Sequence, residues 1–294
     1  MFRSGFAAII GRPNAGKSTL LNALVGEKIA IVSRRPQTTR NVIRGVVTRP
    51  DAQVIFIDTP GIHEAKGTLS VRMVKEAFGA LKGADAVVYM VEPFLRGVSD
   101  DDKLIIANLG RLNRPVVLAV NKVDAIDKEK LLPLIREFST LYPFKEIVPI
   151  SALKGDGVEL LMGVITGLLP EGPRYFPEDA ITDMPERFIA AEIIREKVFT
   201  FISKEVPYST AVAVESFTEK KGKGVVVIQA AINVERESQK GIIIGKQGAM
   251  LKRIGMAARK DIEKLLGAKV FLELFVRVSQ GWTGREDEIK AFGH

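Results

Sequence analysis

The sequence predicts an α/β protein: a doubly wound, mostly parallel sheet followed by a smaller α+β unit. Three observations carry this. Through the first 170 residues, short and almost unbroken apolar runs alternate with amphipathic stretches. A segment rich in Pro and Gly, 170–177, then interrupts the pattern. Beyond it the order of elements changes.

Residues 6–10, 54–57, 86–91, 116–120 and 147–150 are nearly continuous in apolar side chains, as parallel strands covered on both faces require. The first of these runs is too short for a signal-peptide core and has no cleavage site after it. Between the runs, 18–25, 69–81, 101–109 and 128–141 place apolar residues at helical spacing, and 160–169 reads as the last helix of the unit. Prolines make the following segment a semi-rigid linker. The expected division is 1–170, a linker at 171–181, and 182–294. In the last part 185–202 reads as a helix. Residues 210–217 and 225–234 read as strands joined through Lys221-Gly222-Lys223-Gly224. Residues 240–244 and 249–266 are helical, broken at Gly245-Lys246-Gln247-Gly248, and 269–278 is a closing strand. The order is α-β-β-α-α-β. The lone Trp282 is expected to anchor a core.

Composition narrows the chemistry. With 46% hydrophobic and 27% charged residues the chain is an ordinary globular protein, and no run approaches the roughly 18 apolar residues that span a bilayer. The absence of cysteine excludes disulfides, thiolate catalysis and Cys-type zinc sites. His63 and His294 are the only histidines, too few for a His-rich metal centre. A cytosolic setting is expected. The net charge of +8 is unevenly placed: residues 220–277 hold thirteen Lys and Arg against five Asp and Glu, whereas 176–219 are net acidic. That concentration points to nucleic acid or another anionic surface as a partner of the second half.

Gly11-Arg12-Pro13-Asn14-Ala15-Gly16-Lys17-Ser18 matches G-x-x-x-x-G-K-[ST] between a strand and a helix. Backbone N–H groups of such a loop wrap phosphates, and the helix behind it adds its positive N-terminus. Lys17 is expected to reach the β- and γ-phosphates and Ser18 to ligate Mg²⁺. The loop does not choose between ATP and GTP. Asn121-Lys122-Val123-Asp124, directly after a strand, resembles the N-K-x-D motif of the GTPase superfamily. The Asp124 carboxylate can accept from guanine N1–H and the 2-amino group, whereas adenine leaves it unpaired. Sites built around such pairing reject the wrong partner by about 10⁴ or more.

Three further segments resemble that superfamily's other motifs, in order. Asp58-Thr59-Pro60-Gly61 would hold Mg²⁺ through water with Asp58 and sense the γ-phosphate with the Gly61 N–H. In the polar loop 33–40, Thr39 is the choice for Mg²⁺ and Thr38 the alternative. Ser151-Ala152-Leu153 would place a backbone N–H on guanine O6. Where Ras-type members carry a water-orienting glutamine, this sequence has Ile62, which cannot hydrogen-bond water. Hydrolysis is therefore expected to need an ion, a partner or another side chain. Asn14 resembles the asparagine with which a related branch of bacterial GTPases binds K⁺ beside the phosphates; an asparagine there also tolerates unusual backbone geometry.

In the second half, Ile244-Gly245-Lys246-Gln247-Gly248-Ala249-Met250-Leu251 resembles the I-G-x-x-G-x-x-[IL] core of KH domains, and the element order matches their type II arrangement. Two glycines allow close approach of a nucleic-acid backbone, and such a loop clamps about four nucleotides. Ile244, Gly245, Lys246, Gln247, Gly248 and Leu251 are the RNA-binding candidates. Ile243 and Ile254 are added to Ile244 and Leu251 as a floor for bases, and Lys220, Lys221 and Lys223 either extend the basic surface or solvate a hairpin.

Taken together, the motifs resemble the Era family of bacterial Ras-like GTPases over nearly the whole chain; residues 36–40 and 192–197 also look like that family. The resemblance implies GTP and GDP as ligands and Mg²⁺, with K⁺ as a further ion. It also implies small-subunit ribosomal RNA near its 3′ end as partner, and a role in small-subunit assembly. A monomer is expected, cytoplasmic and at times peripheral on the inner face of the membrane. Nucleotide-dependent ordering of 34–40 and 61–66 would make the chain a switch. The alternatives are an RNA chaperone whose nucleotide only stabilises the first half, and a membrane-associated signalling GTPase.

Overall fold

A computed structural model describes residues 1–33, 35–94, 97–220 and 224–293. Two compact units divide the chain. The first comprises Met1–Ala30, Thr39–Lys66 and Ser70–Asp183; the second comprises Ile31–Thr38, Gly67–Leu69 and Met184–His294.

The first unit contains β1 (Arg3–Gly11), α1 (Lys17–Val25), β2 (Ile43–Thr48), β3 (Ala52–Asp58), α2 (Thr68–Ala80) and β4 (Ala86–Val91). It continues through α3 (Asp100–Leu109), β5 (Val116–Val120), α4 (Leu131–Leu141), β6 (Glu146–Pro149) and α5 (Val158–Leu168). The sheet order is β2-β3-β1-β4-β5-β6. All neighbours are parallel except β2 and β3. Every residue of β3, β4 and β5 is buried, which is why those runs carry no alternation. The sequence reading missed β2: Arg44 and Gly45 break its apolar pattern, and its antiparallel pairing with β3 needs no crossover helix.

Residues 170–183, the expected linker and its neighbours, lie along this unit. Ser4 N–H donates to Pro170 O and Gly172 N–H to Phe2 O, both at 3.1 Å. The fully buried Gln53 amide accepts from Tyr175 N–H at 2.7 Å and Phe176 N–H at 2.9 Å, and donates to Phe176 O at 2.9 Å. Its remaining amide hydrogen goes to Thr48 Oγ1 on β2 at 3.0 Å, so the buried amide is satisfied while three of its four bonds hold the segment. Further on, Val46 N–H donates to Ile181 O at 2.9 Å, and Thr182 bridges Gly45 on the outer edge of β2.

The second unit runs α6 (Glu186–Phe201), β7 (Ala211–Lys220), β8 (Val225–Val234), α7 (Glu237–Ile244), α8 (Ala249–Leu266), β9 (Lys269–Val278) and α9 (Glu286–Ala291). β8 is central, antiparallel to β7 and parallel to β9. The core lies on one face of the sheet: Ile254, Ala258 and Ile262, four apart along α8, pack with Ile193 and Val198 of α6 and with Ile228 and Ile232 of β8. Trp282 is fully buried among Ala211, Leu69 and Ile289, and its indole N–H donates to Ser209 O at 2.9 Å. Lys221 and Lys223, proposed for the basic surface, and Arg34 of the switch loop lie outside the described residues.

One ion pair in this unit is fully dehydrated. Arg195 on α6 donates through Nε and Nη2 to the two carboxylate oxygens of Glu192, at 2.7 and 2.6 Å, and both residues are buried. Nη2 also donates to Thr38 O at 2.6 Å. Removing one partner of such a pair strands a charge away from water. Glu192→Ala should therefore cost the second unit about 3–5 kcal/mol, read as a lower urea midpoint for its transition.

Candidate functional site: a phosphate cradle and a glycine-broken helix pair

The loop between β1 and α1 closes on glycine. Gly16 has φ 97°, and a Cβ there would lie 2.2 Å from Asn121 Nδ2. Asn14 is exposed with φ 66°, a left-handed conformation that asparagine tolerates. Pro13 packs against Gly61, where a Cβ would come within 2.7 Å of its Cα. Arg12 reaches Asp102 Oδ2 at 3.5 Å, and Asp102 also accepts from Tyr89 Oη at 2.7 Å and Ser99 Oγ at 2.6 Å. Sequence reasoning missed this buried network; its one legible trace is the Ser-x-x-Asp capping box that opens α3.

Lys17 is buried, its Nζ donating to Gly11 O at 3.2 Å and Arg12 O at 2.9 Å. Burial lowers its pKa to about 8, opposed by Asp58 and Glu92. Burial also raises the Asp58 carboxyl to about 6, opposed by Lys17 and by the Ser18 hydroxyl. Ser18 Oγ donates to Asp58 Oδ2 at 2.6 Å and lies 2.7 Å from Thr39 Oγ1. Ser18, Thr39 and Asp58, far apart in sequence, thus converge. Asp58 Oδ1 is buried and has no hydrogen-bond partner among the described residues. A free carboxylate oxygen beside two hydroxyls suits a hard, oxygen-seeking cation. Thr38 faces another way: its Oγ1 donates to Arg35 O at 2.8 Å.

The rest of the Asp58–Gly61 turn is pinned to β1. Thr59 Oγ1 donates to Ile9 O at 2.8 Å, and Ile62 N–H donates to Gly11 O at 3.1 Å. The Ile62 side chain is fully buried in the core with Ala8, Ile10 and Val91, so it contributes nothing polar to the cradle.

Asn121 joins three segments. Its Nδ2 donates to Ala15 O at 2.8 Å, its Oδ1 accepts from Ala152 N–H at 2.9 Å, and its own N–H donates to Val91 O at 2.9 Å. Of the backbone N–H groups in the Ser151-Ala152-Leu153 motif expected at guanine O6, that of Ala152 is engaged by Asn121. Lys122 Nζ donates to Glu92 at 2.5 Å, a pairing not foreseen from the sequence. The Ser151 hydroxyl beside it holds the Asp124 carboxyl below the usual range, helped by Lys154 Nζ at 3.7 Å.

In the second unit, α7 and α8 meet at Gly245, with φ 71°, where a Cβ would lie 2.7 Å from Met250 Cβ. Gln247 and Gly248 also have positive φ, and Lys246 and Gln247 are exposed. Ile244 and Leu251 are half-buried beside the loop. Ile243 and Ile254 are fully buried in the core, which corrects their assignment to an exposed floor: on helices packed over a sheet their positions face inward.

A strand-loop-helix phosphate cradle with a guanine-type base loop, followed by a helix pair broken at G-x-x-G, defines a P-loop GTPase carrying a KH unit. Residues 6–122 match a family described as 50S ribosome-binding GTPase, and 205–283 match the KH domain family. The chain is 56% identical over its whole length to GTPase Era of Geotalea uraniireducens, covering 98% of that protein. It is 50% identical to GTPase Era of Caldanaerobacter subterraneus, again over all of this chain and 98% of the relative. A solved Era in complex with MgGDPNP and nucleotides 1506–1542 of 16S ribosomal RNA has a TM-score of 0.96 at 44% identity, covering 100% of this chain and 99% of that one. A point variant of Aquifex aeolicus Era bound to GDP·AlF4⁻ has a TM-score of 0.95 at 43% identity, covering 99% of each chain. The chain belongs to the GTPase Era family and is a GTPase.

The burial of Lys17 has a consequence for stability. Its folded pKa, about 8, lies below its ordinary 10.5, so between these values the unfolded chain holds the proton more tightly. Stability then rises with pH across that window. Compared with Lys17→Met, nucleotide-free wild type should gain up to about 3 kcal/mol between pH 8 and pH 10.5, measured by urea unfolding.

Proposed function

We propose that the chain is a GTP-hydrolysing switch that binds small-subunit ribosomal RNA near its 3′ end and acts in small-subunit assembly. The observation that carries it is the junction of a complete guanine-nucleotide cradle with a G-x-x-G helix pair in one chain. A solved relative of the same length holding both MgGDPNP and nucleotides 1506–1542 of 16S ribosomal RNA supports the pairing. The broader family description names the large subunit, but the RNA in that relative favours the small one.

Gly11, Arg12, Pro13, Asn14, Ala15, Gly16, Lys17 and Ser18 would cradle the phosphates, with Lys17 as the buried cation facing the β- and γ-groups. Asp124 would read the guanine edge, held ionised by Ser151 and Lys154. Mg²⁺ fits beside Ser18, Thr39 and, through water, Asp58, where it would neutralise charge on the β- and γ-oxygens. Gly61 would present its N–H to the γ-phosphate. Asn14 would bind K⁺, placing positive charge where an arginine finger would otherwise act. Ile244, Gly245, Lys246, Gln247, Gly248 and Leu251 would clamp single-stranded RNA.

We likewise infer a monomer with domains 1–170 and 182–294 about a linker at 171–181, cytoplasmic, and peripheral on the membrane at times. Among the described residues no helix is long and apolar enough to cross a membrane.

Multiple-turnover GTP hydrolysis with RNA and K⁺ supplied tests the switch; its absence would favour an RNA chaperone that uses nucleotide only for stability. K⁺ in place of Na⁺ should raise the wild-type rate about tenfold or more, short of the ~10³–10⁵ an arginine finger supplies, and Asn14→Ala should erase the difference. Gly248→Asp sets a negative charge beside the RNA backbone. It should weaken binding of an oligonucleotide spanning 1506–1542 about tenfold or more while GTP affinity stays unchanged.

A further inference from the structure

The side chain at position 62 is withdrawn into the core, and the next residue makes the polar contacts of this turn. His63 Nδ1 lies 3.0 Å from Gly61 O, and His63 Nε2 lies 2.9 Å from Ser70 Oγ near the start of α2. A carbonyl oxygen only accepts, so in the neutral ring Nδ1 carries the hydrogen and Nε2 accepts from the serine hydroxyl. The serine contact thereby selects the tautomer that donates to Gly61.

The peptide that receives this bond is held from both sides. Its carbonyl, from Gly61, is bound by His63. Its N–H, from Ile62, donates to Gly11 O at 3.1 Å. Gly61 also lies against Pro13 so closely that a Cβ would meet Pro13 Cα at 2.7 Å. Gly61 is buried, yet its own N–H donates to none of the described residues. Buried backbone N–H groups are rarely left unpaired. The groups on either side of the Gly61 N–H are therefore fixed, while that donor itself is left without an acceptor among the described residues.

We propose that His63 is a positioning residue for GTP hydrolysis: by fixing the Gly61–Ile62 peptide it keeps the Gly61 N–H set for the γ-phosphate as charge develops there. In this role it acts through Gly61. The donor is rigid before the reaction begins, which is what makes a transition-state contact effective. The proposal rests on the reading of Gly61 given above.

Two near-isosteric replacements separate the ring nitrogens. Asn places its amide nitrogen where Nδ1 stood, and Gln places its amide nitrogen where Nε2 stood. His63→Ala and His63→Gln should lower kcat about tenfold or more, while KM for GTP, GDP affinity and melting temperature stay near wild type. His63→Asn should keep most of the rate. The proposal is overturned if His63→Ala turns over like wild type, or if Gln retains the rate and Asn loses it. It is also overturned if the loss in His63→Ala follows a parallel loss of GDP affinity or melting temperature. Gly61→Ala serves as the control: should it hydrolyse GTP normally, the reading of Gly61 fails with the proposal. If it is inactive while His63→Ala is fast, only the role of His63 fails.

Discussion

One buried carboxamide sets the geometry on which nucleotide recognition depends. Asn121 donates to the phosphate loop at Ala15 and accepts from the base loop at Ala152, and its backbone is tied to the end of β4. Its side chain occupies the space that a Cβ at position 16 would need, so the glycine and the asparagine require each other. Phosphate loop and base loop are therefore held in one register, and a change at Asn121 disturbs both together. Because both side-chain bonds are buried, a replacement that cannot make them leaves unsatisfied polar groups on two loops at once.

Around that frame the electrostatics are deliberately uncomfortable. Lys17 and Asp58 are both buried, and each is pushed toward its neutral form by loss of water. Neither fully satisfies the other, and one oxygen of Asp58 has no partner among the described residues. A polyanion with its metal counter-ion relieves both conditions. The cradle thus gives up stability on its own and recovers it on binding, a distribution common at sites built for charged ligands.

Much of this was legible in the sequence, for identifiable reasons. The buried parallel strands declare themselves as unbroken apolar runs, and the G-x-x-x-x-G-K-S and N-K-x-D segments are local because each is one loop. The α-β-β-α-α-β order was also plain, with apolar residues recurring every four along α8 and glycines breaking it from α7, whereas the short α9 after it was not foreseen. What stayed hidden was long-range or ambiguous in period. β2 lacks a readable pattern because an arginine and a glycine interrupt it. Residues 33–40 read as one loop, yet Thr38 belongs with the second unit and Thr39 with the first. Ile243 and Ile254 looked available because a helix next to a binding loop has both an inner and an outer face, and spacing alone does not say which. The partners of Asn121 and His63 lie in other segments or depend on the local turn, so no motif records them.

The strip of chain laid along β2 has a further role, seen by considering what it covers. β2 is the last strand on its side of the sheet, and an uncovered terminal strand offers its backbone to any passing chain. Ile181 and Thr182 occupy part of that border, and Arg44 pairs with Asp183 at 2.7 Å to fasten the strip there. Residues 181–183 also work as a selvedge, keeping the sheet from growing by one more strand borrowed from a neighbour. A nucleotide-binding half severed at residue 170 would keep its cradle and lose its hem, and would be prone to self-association rather than to loss of nucleotide binding.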